Sequence, residues 1–285
     1  MTATSLSPFF VSTAWLEENL GAPDLAIIDG SFFMPAEKRD ARQEYLAGHI
    51  PGAVFFDIDA ISDHSTSLPH MLPTPEFFAD EMGKLGLSED MRFVVYDATG
   101  LMGAARVWWT LRVFGARDVK ILEGGLPQWR TEGRGLETGA RLRPPRVFTP
   151  RFDGAAVADA ARVKNASETG TAQIVDARPA GRFTGDAAEP RPGLRSGHIP
   201  NSRSVPSRVV AGDRLKSQAE IKAAFLGAGV DLDRPIITSC GSGVTAAILL
   251  LALETIGKKG VVLYDGSWSE WGARADLPVV AGESS

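Results

Sequence analysis

Apolar and polar positions along this chain alternate in two rhythms. Short apolar, β-branched runs (Ala26-Ile27-Ile28-Asp29, Phe93-Val94-Val95-Tyr96, Gln173-Ile174-Val175-Asp176 and Pro235-Ile236-Ile237-Thr238) read as strands. Between them lie stretches of helical character, Thr74 to Leu85, Ser217 to Ala228 and Ala246 to Glu254. That alternation predicts an α/β fold, a parallel β-sheet covered by helices on both faces. From Gly133 to Gly154 the periodicity fades, basic residues gather and Pro144-Pro145 and Pro150 interrupt the chain, as in a linker.

The pattern occurs twice. Ala26-Ile27-Ile28-Asp29 returns as Gln173-Ile174-Val175-Asp176, and Gly48-His49-Ile50-Pro51 returns as Gly197-His198-Ile199-Pro200. Val119 to Gly125 before Trp129 matches Val261 to Ser267 before Trp271. The repeat predicts two tandem domains of one architecture, 1–135 and 155–285, joined by a linker over 136–154.

At 285 residues, two domains of ordinary size are expected. Hydrophobic residues make up 44% of the chain and charged residues 23%, which excludes a disordered or fibrous protein. A net charge of -5 argues against nucleic acid and leaves the capture of a small anion to local arginines. One cysteine permits no internal disulfide, and one Cys with 4 His shows no metal-ligand spacing, so neither a metal nor a cofactor is expected. Met1 to Ser7 has neither a basic nor an apolar leader pattern, and the longest apolar run, Ala246 to Leu253, is too short for a membrane span. These features together predict a cytoplasmic protein.

The single cysteine is also the centre of the chemistry. Cys240 follows a strand-like run and opens Gly241-Ser242-Gly243-Val244-Thr245, after which a helix-like run begins. Two glycines let the backbone turn sharply, pointing several N–H groups inward, and the following helix presents the positive end of its dipole. Both effects favour a thiolate nucleophile, whereas a merely buried cysteine needs neither. A cysteine phosphatase would need an arginine after five intervening residues, but position 246 is Ala. The six-residue loop is tight for a phosphate and better sized for one sulfur atom. The offset between Trp129 and Trp271 is 142, which carried back from Cys240 lands on Ala98. The first copy therefore has no nucleophile, and its continuation, Leu101 to Ala105, is apolar where an anion cradle would want polar groups.

The Cys240–Thr245 loop resembles the active-site loop of the rhodanese sulfurtransferases, and its Cys-Gly-Ser-Gly-Val-Thr wording is similar to the branch that uses 3-mercaptopyruvate. The resemblance extends through His49 to Ala53, Arg106 to Trp109 and Tyr264 to Trp268. It implies an inert first domain, a catalytic second one and an active site at their interface. It also implies a Cys240 persulfide, passed to a second thiol, to a thioredoxin-like protein or to cyanide. Relatives that use thiosulfate carry basic residues where this chain has Gly241 and Ser242. By the same resemblance Arg182 and Arg191, nine residues apart, grip the donor's carboxylate and carbonyl, a task suited to guanidinium forks. Ser242, with Asp59 and His70, is implied as a proton relay. Asp176 and Arg178 are expected to fix a strand end, and Trp268 and Trp271 to fill the core. Both Gly-His-Ile-Pro turns are read as structural, each with a satisfied histidine. Two rival readings stand: a thiosulfate:cyanide sulfurtransferase, against which Gly241 and Ser242 speak, and a noncatalytic sulfur carrier or binding module, against which the retained Cys240, Arg182 and Arg191 speak.

Overall fold

Two five-stranded parallel sheets organise the chain, one in each copy of the repeat. The structure is a computed structural model and describes residues 7–283, so the leader reading of Met1 to Ser7 falls, apart from Ser7, outside the described residues. In the first copy β1 (Phe10–Val11), β2 (Leu25–Asp29), β3 (Val54–Phe55), β4 (Arg92–Tyr96) and β5 (Asp118–Leu122) lie in the order β1-β5-β4-β2-β3. In the second, β6 (Val157–Ala158), β7 (Gln173–Asp176), β8 (Arg203–Ser204), β9 (Ile236–Ser239) and β10 (Val262–Tyr264) repeat it as β6-β10-β9-β7-β8. The interior strands β2 and β9 are buried at every position, which is why they read as continuous apolar runs rather than as alternating ones. The two-residue edge strands are too short to carry a period and escape sequence reading.

By internal contacts the chain forms two compact units, Met1–Ser62 with Pro73–Asp153, and Asp63–Leu72 with Gly154–Ser285. Boundaries at 135 and 155 treat each copy as continuous. Contact instead assigns a ten-residue stretch of the first copy, Asp63–Leu72, to the second unit. Residues 136–153 do not hang free but run along the first unit. Glu137 bridges His49, Arg146 N donates to Gly83 O at 3.1 Å and Asp153 N to Val113 O at 2.8 Å.

Local sequence explains the helix limits. Thr74 caps Pro75–Lys84 by accepting from Phe77 N, and Ser217 opens Gln218–Gly227 with a capping box completed by Glu220. Each unit has its own core: Trp129 packs with Leu16, Ile27 and Val94, and Trp271 with Val163, Ile174, Ile237 and Trp268. His49 and His198 occupy equivalent turns. Each uses Nδ1 on a backbone carbonyl, of Tyr45 and Phe183, and stacks on that residue's ring, so both turns are structural. Among the described residues no helix is long and apolar enough to cross a membrane.

The first unit buries an acid with no cation beside it among the described residues. Asp29, at the end of β2, accepts from Ser31 N and Oγ through Oδ1, yet burial, with Asp97 adding repulsion, pushes its carboxyl up to about 6. A raised acid binds its proton more tightly when folded, so its unfavourable contribution is absent below about pH 4, grows between about 4 and 6, and is complete above 6. Holding the carboxyl at about 6 against its ordinary value corresponds to roughly 3 kcal/mol. Asp29→Asn keeps an acceptor for both Ser31 donors and is expected to be more stable than the parent at pH 8, with the gain vanishing towards pH 4. Urea unfolding of both proteins across that range checks it, and equal midpoints at pH 8 would refute it.

Candidate active site

The chain leaves β9 at Ser239 and turns at Cys240, whose side chain is buried, into a loop and then the helix Ala246–Thr255. That helix is buried from Ala246 to Leu253, so it is held by packing rather than by a polar cap, and Thr245 makes no capping hydrogen bond. Gly243 has φ +76, a conformation that side chains rarely adopt, and this single residue lets the turn close. Among the described residues the amides of Gly241, Ser242, Val244 and Thr245 donate to no protein acceptor. Backbone donors gathered at a helix start form a site for negative charge.

A second segment straps the loop from behind. Cys240 N donates to Ser267 Oγ at 3.2 Å, and that hydroxyl donates to Tyr264 O at 2.7 Å. Trp268 N donates to Cys240 O at 2.9 Å, while Ser269 donates from both N and Oγ to Gly241 O. Ser267 itself sits at φ +47, a strained value for a residue with a side chain. The strap is Gly266-Ser267-Trp268-Ser269, and reading the tryptophans as core missed the serines on either side of Trp268. Trp268 and Trp271 are indeed buried.

Charge reaches the loop through a chain of four side chains. Asp176, ending β7, binds Arg178 by Oδ1 and Oδ2, and Arg178 lies over the Trp268 ring and donates to Gly197 O. Burial alone would lower the Arg178 guanidinium, but Asp176 and Glu189 outweigh it and hold it above its ordinary value. Glu189 accepts from Arg178 Nη1 at 2.8 Å and, through both oxygens, from Arg182 Nε at 3.1 Å and Nη2 at 2.5 Å. Arg182 Nη2 in turn lies 3.1 Å from the point a Cβ would occupy on Gly241. Asp176 and Arg178 thus organise the strand end, as expected, and Arg182 stands beside the cysteine loop. Arg191 is half-buried, two residues past Glu189 on the same segment.

The segment Asp63–Leu72 brings one further group. His70, buried and at φ +60, has Nδ1 3.0 Å from Ser242 Oγ, and Leu72 N donates to Asp265 Oδ2 at 2.7 Å. His70 is therefore part of the second unit's own site, although it comes from the first copy's sequence. Asp59 belongs to the first unit, is exposed, and lines a cavity of about 260 Å³ there with Arg39, Arg42 and Phe33.

The first copy's loop corrects the sequence alignment by one residue. Ile28–Asp29 pairs with Val95–Tyr96 as Val175–Asp176 pairs with Thr238–Ser239, so Tyr96 matches Ser239 and Asp97 matches Cys240. The strap agrees, since Leu126 N donates to Asp97 O as Trp268 N does to Cys240 O. An offset of 142, taken from the tryptophans, pointed to Ala98 because the first-copy sequence is one residue longer between this loop and that tryptophan. The reason for inertness changes too. The loop is not poor in donors: Asp97 Oδ1 accepts from Thr99 N, Thr99 Oγ1 and Gly100 N, and Oδ2 from Ala104 N. Burial raises the Asp97 carboxyl even so, against the pull of those bonds. An aspartate side chain of the chain's own stands in the first copy where Cys240 stands in the second.

The rhodanese-like domain family matches twice, over residues 12–132 and 159–274, and the chain belongs to that family as a tandem of two such domains. Over 273 residues it is 53% identical to a 3-mercaptopyruvate sulfurtransferase of Escherichia coli (strain K12), covering 95% of this chain and 97% of that one. A thiosulfate/3-mercaptopyruvate sulfurtransferase 1, mitochondrial, of Arabidopsis thaliana is 44% identical over 100% of this chain and 81% of its own length. Among solved structures, SseA of Escherichia coli superposes with a TM-score of 0.85 at 49% identity, covering 91% of this chain and 98% of that one.

The filled loop makes a paired forecast. Ala98→Cys, being off the cradle, is expected to take up no sulfur after donor treatment of a Cys240→Ser background, as read by intact mass. Asp97→Ala is expected to lower unfolding stability by about 2–4 kcal/mol, since it strands several buried donors. An unchanged stability would mean that the carboxylate does not hold the loop.

Proposed function

We propose that Cys240 takes the sulfur of 3-mercaptopyruvate as a persulfide and hands it to an acceptor thiol. The activity is that of a 3-mercaptopyruvate sulfurtransferase, shared with relatives that match along nearly the whole chain. The observation that supports the residue assignment is the Cys240 loop itself, where among the described residues the amides of Gly241, Ser242, Val244 and Thr245 have no protein acceptor and the clamped Arg182 stands at the edge.

The Cys240 thiolate attacks the donor's sulfur, the sulfur–carbon bond breaks, and its electron pair leaves on carbon as pyruvate enolate, which a proton converts to pyruvate. Amides of Gly241, Ser242, Gly243, Val244 and Thr245 stabilise charge on the bound sulfur, a contribution available before the reaction and needing no reorganisation. Arg182 and Arg191 hold the carboxylate and carbonyl. Ser242 Oγ donates to the developing enolate, and His70, on the far side of that hydroxyl, resupplies the proton. Asp59 enters this relay on the family resemblance alone. An acceptor thiolate, of a small molecule or of a thioredoxin-like protein, then attacks the outer sulfur and frees Cys240, and cyanide can do the same. A single thiol and no internal disulfide suit a reducing, cytoplasmic compartment.

Thiosulfate is the competing donor. It is a dianion whose leaving sulfite calls for cations next to the cysteine, and positions 241 and 242 are Gly and Ser.

Cys240→Ser is expected to stay folded and to lose turnover, while the parent protein, treated with mercaptopyruvate without acceptor, gains one sulfur atom by intact mass. Turnover by the folded variant would end the nucleophile assignment. Arg182→Ala and Arg191→Ala are expected to lower kcat/KM for mercaptopyruvate by about 1.5–3 kcal/mol each, as the loss of a charge-assisted hydrogen bond does. Gly241→Arg with Ser242→Lys is expected to shift preference towards thiosulfate. Unchanged mercaptopyruvate kinetics in both arginine variants, or a better rate with thiosulfate in the parent, would overturn the donor assignment and leave the persulfide step standing.

A further inference from the structure

Glu189 is a buried carboxylate placed between two arginines, with only 1% of its side chain exposed against 17% for Arg182. Arg178 has other anchors: both oxygens of Asp176, the carbonyl of Gly197 and the face of Trp268. Arg182 has no such set. Its only side-chain hydrogen bonds among the described residues are the two to Glu189, from Nε and Nη2, and Nη1 is left without a protein acceptor. The fork is therefore aimed by Glu189 alone, with its unused edge beside the cysteine loop.

Gly241 closes the argument from the other side. It is not among the glycines with positive φ, so its backbone would accept any residue, and what it lacks is room. A Cβ there would meet Arg182 Nη2 at 3.1 Å and Nη1 at 3.9 Å. An arginine on a loose tether would swing away, whereas one held at two points by a buried carboxylate yields only by straining charge-assisted bonds. A side chain at 241 and a pinned Arg182 therefore compete for the same few tenths of an ångström.

We propose that Glu189 is a positioning residue that selects the sulfur donor: it pins Arg182 against the bare Gly241, so that the site presents a fixed carboxylate-binding fork and disfavours a side chain, cationic ones included, at the loop. This rests on the mercaptopyruvate reading above.

The test compares mercaptopyruvate and thiosulfate kinetics in Glu189→Asp, Glu189→Gln, Gly241→Ala and the Glu189→Gln/Gly241→Ala double variant, with Arg182→Ala as reference. Glu189→Asp keeps the charge and shortens the reach, and it carries the test if the glutamine variant does not fold. Expected is a rise in KM for mercaptopyruvate of about tenfold to a hundredfold in the Glu189 variants, the equivalent of one charge-assisted bond, with kcat less affected. Thiosulfate kcat/KM is expected to change by less than about twofold, since that donor does not use the fork. Gly241→Ala should do harm in the parent and little further harm once Glu189 is replaced, because a released Arg182 can yield. A folded Glu189→Asp with unchanged KM, equal losses with both donors, or fully additive effects of Gly241→Ala and Glu189→Gln would overturn the proposal. Should Arg182→Ala leave mercaptopyruvate KM unchanged, the donor reading itself is at fault. If Arg182→Ala raises KM and Glu189→Asp does not, only the positioning role falls.

Discussion

A parallel strand that turns directly into a buried helix gathers backbone N–H groups at one point, and those groups require negative charge. The molecule faces this requirement twice. In the first unit Asp97 meets it, its two oxygens taking four donors at the strand end. In the second unit Cys240 stands at the same register, and among the described residues the amides of Gly241, Ser242, Val244 and Thr245 have no protein acceptor. Residue choice at one position divides a filled loop from an open one, while the sheets on which both are built keep the same strand order.

The rest of the site keeps the reactive loop rigid and correctly flanked. Ser267, Trp268 and Ser269 hold the Cys240 and Gly241 backbone from behind, and the alternating charges of Asp176, Arg178, Glu189 and Arg182 extend from the end of β7 to the loop's edge. Two carboxylates balance two guanidiniums in that chain. Burial is tolerated because each of the inner three groups has charged partners, whereas an isolated charge in such a place would be costly. The first unit shows the contrast in Asp29, buried with no cation beside it among the described residues and pushed towards its neutral form.

Much of this was legible in the sequence because it depends on local chemistry. Apolar runs at β2, β4, β7 and β9, the caps Thr74 and Ser217, the repeat and the Gly-rich loop after Cys240 all follow from near neighbours along the chain. Arg178 was readable as fixing a strand end, while the role expected of Arg182 came from the family resemblance. Other features needed three dimensions. Glu189 lies among polar residues and prolines, and nothing nearby in sequence marks it as buried. The match of Asp97 to Cys240 is visible only in hydrogen-bond register, because one added residue beyond the loop shifts any alignment drawn from the tryptophans. A faint signal did exist: Asp-Ala-Thr-Gly directly after an apolar strand is an aspartate placed to accept from its own turn.

The assignment of Asp63–Leu72 to the second unit changes what counts as half of this protein. A gene duplication ordinarily leaves two pieces that can be parted at the connection between them. Here the later copy has taken His70 from the earlier copy's stretch of chain, and a cut anywhere in 136–154 would leave the cysteine with its loop, strap and arginines but without the imidazole beside Ser242. The two copies are no longer interchangeable modules: the unit of repetition and the unit of contact have different edges, and recombination that respects the first would part His70 from Ser242.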